Sequence, residues 1–307
     1  MAFSQVTVQV PATTANLGPG FDCLGVALTL QNQFQFTLQP TGASPIEIRV
    51  QGEEAARVSN NPDNLIYQAF RQFYEDFGET APRVKIEIDL GVPLSRGLGS
   101  SATAIVGGLL AANALAGSPV EDQDLLQRAI ALEGHPDNIV PAFLGGCRLA
   151  VPTDKAWEIA DIPWSEKLVP VVAIPNFELS TQEARSVLPS QFSRDVAIFN
   201  ASHLGLLIRA IETGRGDWLR IGMQDQLHQP YRQQLISGYS DVETAALCAG
   251  AYGVAISGAG PTLLAITSMG QAATVAQEMQ TAWQKAGVTA KAQVLQVNTT
   301  GATFQRQ

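Results

Sequence analysis

Pro93-Leu94-Ser95-Arg96-Gly97-Leu98-Gly99-Ser100-Ser101-Ala102 separates two patterns of different period. Before it, Val84, Ile86, Ile88 and Leu90 alternate strictly, the period of a strand with one buried face. After it, residues 102–116 are rich in small and apolar types and close at Gly117, the composition of a helix buried on most sides. A strand that turns into a helix through glycines presents free backbone N–H groups and the positive end of the helix dipole, which together favour an anion. Gly97 and Gly99 permit left-handed backbone and close approach of a ligand, and Ser100 and Ser101 add hydroxyls at the helix start. No lysine follows the glycines, so the stretch is not a Walker A loop, and it lacks the second Gly-x-x-Gly step of a dinucleotide fingerprint. A lone Gly-x-Gly with a serine cap is also what a plain turn looks like. The whole string in its strand-to-helix context is what points to phosphate.

Toward the N-terminus, residues 6–10 alternate as a strand, and PATTANLGPGFDCLG at 11–25 reads as a Gly/Pro-rich loop carrying Asn16 and Asp22. Residues 26–38 alternate in part, and 46–50 is a further strand candidate. Asn60-Asn61-Pro62-Asp63-Asn64 opens a helix with Leu65, Ala69, Phe73 and Phe77 on one stripe and Gly78 at its end. Toward the C-terminus, Ser118-Pro119-Val120-Glu121 matches a capping box, and the helix it starts carries Leu126, Ile130 and Glu133 on one face. Residues 157–167 read as the join between halves. A strand at 169–174 follows, then helical patterns at 181–188, 193–213 and 216–226, and a second capping box at Ser240-Asp241-Val242-Glu243. Strands at 253–257 and 262–267 flank Gly258-Ala259-Gly260-Pro261, before a helix at 272–286 and a strand at 290–297. Strand, helices, strand, strand, helix, strand is the split βαβ order of a ferredoxin-like domain. The expected fold is α+β in two domains, 1–160 and 161–307.

Composition narrows the function. With 307 residues, 46% of them hydrophobic, the chain has material for two cores. A net charge of −9 without basic runs argues against a nucleic-acid or anionic-membrane partner, so an anionic substrate needs local donors. Cys23, Cys147 and Cys248 are far apart and lack metal-ligand spacing, which fits a reducing cytoplasm. The start MAFSQVTVQV has no basic n-region, so no secretory leader is expected, and the apolar run 102–116 is too short to span a bilayer.

Glu133 carries its own inference. It falls on the apolar stripe near the C-terminal end of its helix, where the dipole disfavours an anion. Such a carboxylate wants a cation, and Mg²⁺ shared with a loop serine suits, because Mg²⁺ takes few protein carboxylates beside phosphate oxygens and waters. A solvated residue at a frayed helix end is the alternative.

The string P-x-x-x-G-L-G-S-S-A over 93–102 resembles the ATP-binding motif of the GHMP kinases, a superfamily of small-molecule kinases. In the right order, 11–25 resembles that family's N-terminal substrate motif, and AISGAGPTLLAI at 255–266 its C-terminal glycine motif. The resemblance implies a ribosomal-protein-S5-like N-terminal α/β domain, a ferredoxin-like C-terminal α+β domain and a homodimer. It implies ATP along Pro93, Leu94, Ser95, Arg96, Gly97, Leu98, Gly99, Ser100, Ser101, Ala102 and Thr103, with Asn64 near the base. The Mg²⁺ expected at Glu133 would share Ser100 or Ser101, and which serine it takes stays open.

Within the family, Asn16, Gly18, Gly20, Phe21 and Asp22 are similar to the version in the branch that phosphorylates L-homoserine. So are EGHPDNIVPAFLGG at 133–146, the set Thr181, Ala184, Arg185, Leu188 and Pro189, and Pro230-Tyr231-Arg232. The implied product is O-phospho-L-homoserine, on the way to threonine. Chemistry agrees with the likeness: the acceptor's carboxylate suits the guanidinium forks of Arg185 and Arg232, and its ammonium suits Asn16, Asp22 and Asn138. His135 and Thr181 complete the implied substrate set. The mevalonate branch uses an Asp with a Lys, and no such pair stands in these motifs. The expectation is catalysis by orientation and charge, with the loop 97–101, Mg²⁺ and Arg185, and with Asp22 as a base the competing idea. On the residues alone, Asp22 is equally a turn residue, Arg185 a surface helix charge, Asn64 a helix cap, and His135 and Asn138 residues shaping a turn about Pro136. A sister kinase acting on mevalonate, shikimate or a cytidyl-erythritol is the alternative reading.

Overall fold

The computed structural model describes residues 4–307, so residues 1–3, the start of the stretch expected to lack a leader, lie outside it. Strands β1 (Gln5–Asn16) and β2 (Gly20–Leu38) form one long antiparallel hairpin, in register at Val6↔Phe36 and Val8↔Phe34. The stretch 11–25, expected to be a loop, is therefore mostly strand, and only residues 17–19 turn. The reason is burial. Ala12, Ala15, Leu17, Leu24 and Val26 are all fully enclosed, and enclosed backbone must find ladder partners.

Next come β3 (Ile46–Gln51), α1 (Leu65–Glu75) and β4 (Val84–Asp89), with β4 antiparallel to β2 and parallel to β3. Helices α2 (Ser100–Leu115), α3 (Asp122–Glu133) and α4 (Pro136–Leu144) lead into β5 (Cys147–Pro152) and β6 (Trp157–Ile162). Strand β5 pairs with β2 at residues 24–26, and β6, the segment expected as the join between halves, pairs with β5.

The buried face of α1 is Ile66, Tyr67, Ala69, Phe70, Phe73 and Tyr74, rotated from the expected stripe, so that Leu65 and Phe77 are 37% and 48% exposed. The rotation follows from Gly108 of α2: a Cβ there would stand 2.4 Å from the Ile66 carbonyl oxygen, so α1 seats its backbone where α2 has no side chain. Ser118 does not cap α3, which starts at Asp122. Asn113 instead holds Val120, accepting from its N at 3.1 Å and donating to its O at 2.9 Å, which pins this segment to α2.

The second half runs β7 (Val169–Pro175), α5 (Thr181–Ser186), α6 (Arg194–Thr213), α7 (Gly216–Gly222), α8 (Gln229–Arg232), α9 (Tyr239–Cys248), β8 (Gly253–Ile256), β9 (Leu263–Thr267), α10 (Ala272–Lys285) and β10 (Ala290–Val294). Its sheet order is β10-β7-β9-β8, all antiparallel, which is the ferredoxin-like arrangement expected from the element order. The second expected capping box also fails. Helix α9 starts at Tyr239 after Gly238, and Glu243 accepts from the Tyr239 hydroxyl at 3.2 Å rather than reaching back to Ser240.

The chain then returns: β11 (Thr303–Arg306) pairs antiparallel with β1, closing the first sheet in the order β11-β1-β2-β4-β3. Each half has its own apolar core. A third cluster joins Leu17, Leu24 and Leu28 of the hairpin to Val172, Leu207, Leu264 and Ile266 of the second half, so the β1–β2 turn is wedged between the two sheets. Among the described residues no helix is long and apolar enough to cross a membrane.

Candidate active site

The stretch 93–103, expected to hold phosphate, is gripped from both sides. Gly97 and Gly99 take φ of +75° and +70°, and Gly99 is the residue before the first turn of α2. A Cβ on Gly97 would stand 2.1 Å from the Ser257 carbonyl oxygen, and one on Gly99 would stand 2.0 Å from Thr13 Oγ1. Ser257 Oγ donates to Gly97 O at 2.6 Å, and Thr13 N donates to Leu98 O at 3.1 Å. The Leu98 side chain is core, and the Thr103 hydroxyl donates to Ser100 O at 2.8 Å while accepting from Asn32.

Arg96 is committed to the protein. It donates to the carbonyls of Leu94, Pro175 and Asn176 and lies 3.3 Å from Glu54, which also accepts from Leu94 N at 2.6 Å. Ser95 O accepts from Leu179 N at 3.3 Å. Asn64 caps α1, accepting from Ile66 N at 3.0 Å and donating to Ser59 O. Of the stretch 93–103, then, backbone amides and serine hydroxyls are what this loop has to offer an anion, with Ser101 Oγ already engaged by Glu133. A cavity of about 530 Å³ adjoins Pro93 and Arg96. None of residues 97–103, Glu133, Arg185 or Arg232 lines it, so it lies apart from the converging polar groups.

Glu133 ends α3 next to the start of α2, where Ser101 Oγ donates to its Oε2 at 2.7 Å. Burial pushes its carboxyl above the usual range, and the Ser101 hydrogen bond only partly opposes this. Among the described residues no three His, Cys, Asp or Glu side chains gather as a metal cage. One carboxylate and one hydroxyl fit an ion that arrives with its own phosphate oxygens and waters, as Mg²⁺ does.

At the other end, Asp22 (φ +58°) takes both Arg185 amino groups, at 2.9 and 2.6 Å, in a bidentate pair. That carboxylate holds Arg185 above the usual arginine range. Asn16 Oδ1 accepts from Asp22 N at 3.0 Å, and Asn16 Nδ2 donates to Gly258 O at 2.9 Å. Arg232 is 2% exposed and donates to the Ala184 and Gly258 carbonyls at 3.0 and 3.1 Å. Burial and the neighbouring Arg185 lower its pKa to about 10, which leaves it charged at neutral pH. No carboxylate lies in ion-pair contact with it among the described residues, and a buried cation with only neutral partners is a place for an anion.

Helix α4 bridges the two ends. Asn138 Oδ1 accepts from Thr13 Oγ1 at 2.7 Å, beside Gly99, and His135 Nδ1 lies 3.2 Å from Asp137 Oδ1, which raises the imidazole pKa. Thr181 is exposed at the start of α5, one turn before Arg185. The fold thus brings Asn16, Asp22, Arg185 and Arg232 together at the β1–β2 turn, and sets Asn138 beside Gly99.

Several residues around this cluster were given no role in the sequence reading, though Phe21 and Asp137 fell inside its motifs. Asp137, 4% exposed, is near enough to act electrostatically on Arg185 and Arg232. Phe21 lies under both guanidinium groups, at 5.5 and 5.0 Å. Asp225 accepts from Asn200 Nδ2, Leu227 N, His228 N and Gln229 N ahead of α8. An Asp followed by Pro230 was the available signal for that cap. For the lone His228 there was none.

Family comparison agrees with this geometry. The pattern described as GHMP kinases N terminal domain matches residues 64–146, and that described as GHMP kinases C terminal matches 207–285. The chain belongs to the GHMP kinase family, and within it to the homoserine kinases. It is 60% identical over 300 residues to the homoserine kinase of Trichormus variabilis, covering 98% of this chain and 99% of that one. To the homoserine kinase of a Nostoc species it is 61% identical over 301 residues, with 98% and 99% covered. The crystal structure of homoserine kinase from Cytophaga hutchinsonii superposes with a TM-score of 0.88 at 30% identity, covering 98% of each chain.

Proposed function

We propose that this chain transfers the γ-phosphoryl group of ATP to the side-chain hydroxyl of L-homoserine, giving O-phospho-L-homoserine. The observation that carries the acceptor assignment is Arg232: a buried guanidinium without an ion pair, beside the Asp22–Arg185 pair and across from the phosphate loop. The likeness to named homoserine kinases over nearly the whole chain supports the same acceptor.

In this reading the amides of 97–101 and the Ser100 hydroxyl receive the β- and γ-phosphates, while the Ser101 hydroxyl stays on Glu133. Mg²⁺, when bound by Glu133 and Ser101, supplies charge neutralisation at those oxygens. Arg185 and Arg232 grip the acceptor carboxylate, with Arg185 also offsetting charge on the moving phosphoryl group. Asp22, Asn16 Oδ1 and Asn138 Oδ1 face the ammonium, and His135 and Thr181 line the remaining wall. Asp22 already has both oxygens hydrogen-bonded to Arg185, which supports a positioning role over that of proton acceptor. The nucleotide is assigned to the half 1–160 and the acceptor arginines to 161–307, with β11 returned to the first sheet. A cytoplasmic homodimer is part of the proposal, and sedimentation tests the dimer.

The functional test is ADP release with Mg·ATP across homoserine, mevalonate, shikimate and a cytidyl-erythritol. Homoserine is expected to exceed the others by about 10³-fold or more in kcat/KM, since a site built around buried polar partners rejects analogues that leave them unpaired. A preference for any of the other alcohols would overturn the assignment.

Glu133→Gln keeps an acceptor for Ser101 but removes the charge. It is expected to lower kcat about 10²-fold and to raise the Mg²⁺ concentration needed for half-maximal rate. Its stability should move the other way. A carboxyl raised by burial binds its proton more tightly folded than unfolded, so its contribution is fullest at low pH and is lost as pH rises from the ordinary carboxylate range through the raised value. In metal-free buffer at pH 7 the variant should therefore melt no lower than the parent, and a clear drop in melting temperature would contradict this.

A further inference from the structure

We propose that His228, as the neutral Nε2–H imidazole, is a positioning residue that fixes the direction of the Arg232 guanidinium and the seat of the Gly18 turn. The proposal rests on the reading of Arg232 as the grip for the acceptor carboxylate.

His228 is fully buried. Its Nε2 lies 2.8 Å from Gly18 O, and a carbonyl only accepts, so Nε2 carries the hydrogen. Asp225 Oδ2, 3.6 Å from the same nitrogen, faces the same proton. Nδ1 is then a lone pair. The group in front of it is Arg232 Nη1 at 3.4 Å, and a guanidinium has donors but no acceptor. A second proton on the ring would set donor against donor and add a third cation beside Arg185 and Arg232. Burial opposes that proton too, lowering the imidazole pKa.

The ring has no freedom to choose another pose. Its face stacks on Phe21 at 5.1 Å and 23°, and Phe21 in turn lies beneath both guanidinium groups. Its backbone N donates to Asp225 Oδ2 at 2.8 Å, and Asp225 is itself anchored by Asn200 Nδ2 at 2.6 Å. The turn it holds is tightly seated: a Cβ on Gly18 would stand 2.2 Å from Met223 O. A run of contacts from Asn200 through Asp225 and His228 thus ends on two structures that shape the acceptor site, the hairpin turn and Arg232.

The test pairs three variants with one spectroscopic measurement. His228→Phe keeps an aromatic ring for stacking and removes both ring hydrogen bonds. The KM for homoserine should rise about 10- to 30-fold, the scale expected when hydrogen bonds to a charged group are lost, while the KM for ATP stays within about twofold. His228→Gln, whose amide supplies an N–H near the Nε2 position, should recover much of that loss. Equal changes in both KM values, or none, would overturn the proposal. Arg232→Met separates two failures. A homoserine KM unmoved by Arg232→Met sinks the acceptor-site reading itself. One raised by Arg232→Met but unmoved by His228→Phe sinks the role of His228 alone. In the intact protein, ¹⁵N NMR of the histidine ring should show Nε2 protonated and Nδ1 bare at pH 7. A doubly protonated ring, or the Nδ1–H tautomer, would contradict the proposal even if the Phe variant failed to fold.

Discussion

Arg185→Met should lower kcat/KM for homoserine about 10³-fold or more, the scale on which a guanidinium aimed at a transferring phosphoryl group acts. Two losses combine. In the proposed site Arg185 supplies a positive charge between the acceptor and the phosphates, and it holds Asp22 by two hydrogen bonds of 2.9 and 2.6 Å. Methionine keeps the apolar stem and contact with Phe21 but cannot do either. Most of the effect belongs in kcat, because charge that matters only while the phosphoryl group moves does not appear as tighter ground-state binding. The KM for ATP should stay within about threefold. Both partners of the pair are about one-third exposed in their side chains, so the fold should survive with a modest change in melting temperature. Retention of kcat within tenfold would contradict this role. Asp22→Asn discriminates further. A rise in homoserine KM fits positioning, whereas lost turnover with unchanged homoserine affinity would make Asp22 the proton acceptor.

Gly97→Ala should be among the more damaging single-methyl changes in the molecule, and the one that bears most directly on the loop 97–101. The residue sits at φ +75°, and the added carbon would stand 2.1 Å from Ser257 O and 2.9 Å from Gly260 N, both main-chain atoms of the opposite half. Left-handed backbone costs a non-glycine residue about 1–2 kcal/mol. Overpacking against backbone that cannot rotate away adds about 1–3 kcal/mol. Part of this should be relieved by spreading the loop from the turn at 257–260, which breaks the hydrogen bond from Ser257 Oγ to Gly97 O. The expected result is a melting temperature lower by several degrees together with a more than 100-fold loss in kcat/KM for ATP, since a misplacement near 1 Å is enough for that. Gly117→Ala is the control, because that glycine has positive φ but nothing within 4 Å of its Cβ position. Equal damage at both positions would mean that backbone strain, and not the clamp, is what matters at Gly97.

The parts of this molecule legible in its sequence are those where a local pattern and a long-range constraint agree. The strand–Gly-x-Gly–helix passage at 84–116 is one, and the element order of the second half is another. What escaped is non-local. Strand β11 is four residues with an alternation too short to register, and it exists because β1 offers an edge some three hundred positions earlier. The hairpin at 11–25 looks like a loop because Gly and Pro dominate it, yet enclosure between two sheets supplies the ladder.

The two capping boxes had the right letters, but Asn113 and Gly238 decide where those helices begin. Arg96 sits inside the phosphate string, and only the structure shows its guanidinium engaged with Pro175, Asn176 and Glu54. Conversely, the burial of Arg232, which gives it its meaning, is invisible in a three-residue motif; of the supports behind it, Asp225 had only its place ahead of Pro230 as a signal, and His228 had none.

The most direct test is a crystal structure of the chain with a non-hydrolysable ATP analogue, Mg²⁺ and homoserine. The account predicts phosphate oxygens against the main-chain amides of 97–101, the acceptor carboxylate at Arg185 and Arg232, and its hydroxyl facing the γ-phosphate. Phosphates lodged away from that loop, or an acceptor bound out of reach of Arg232, would contradict it.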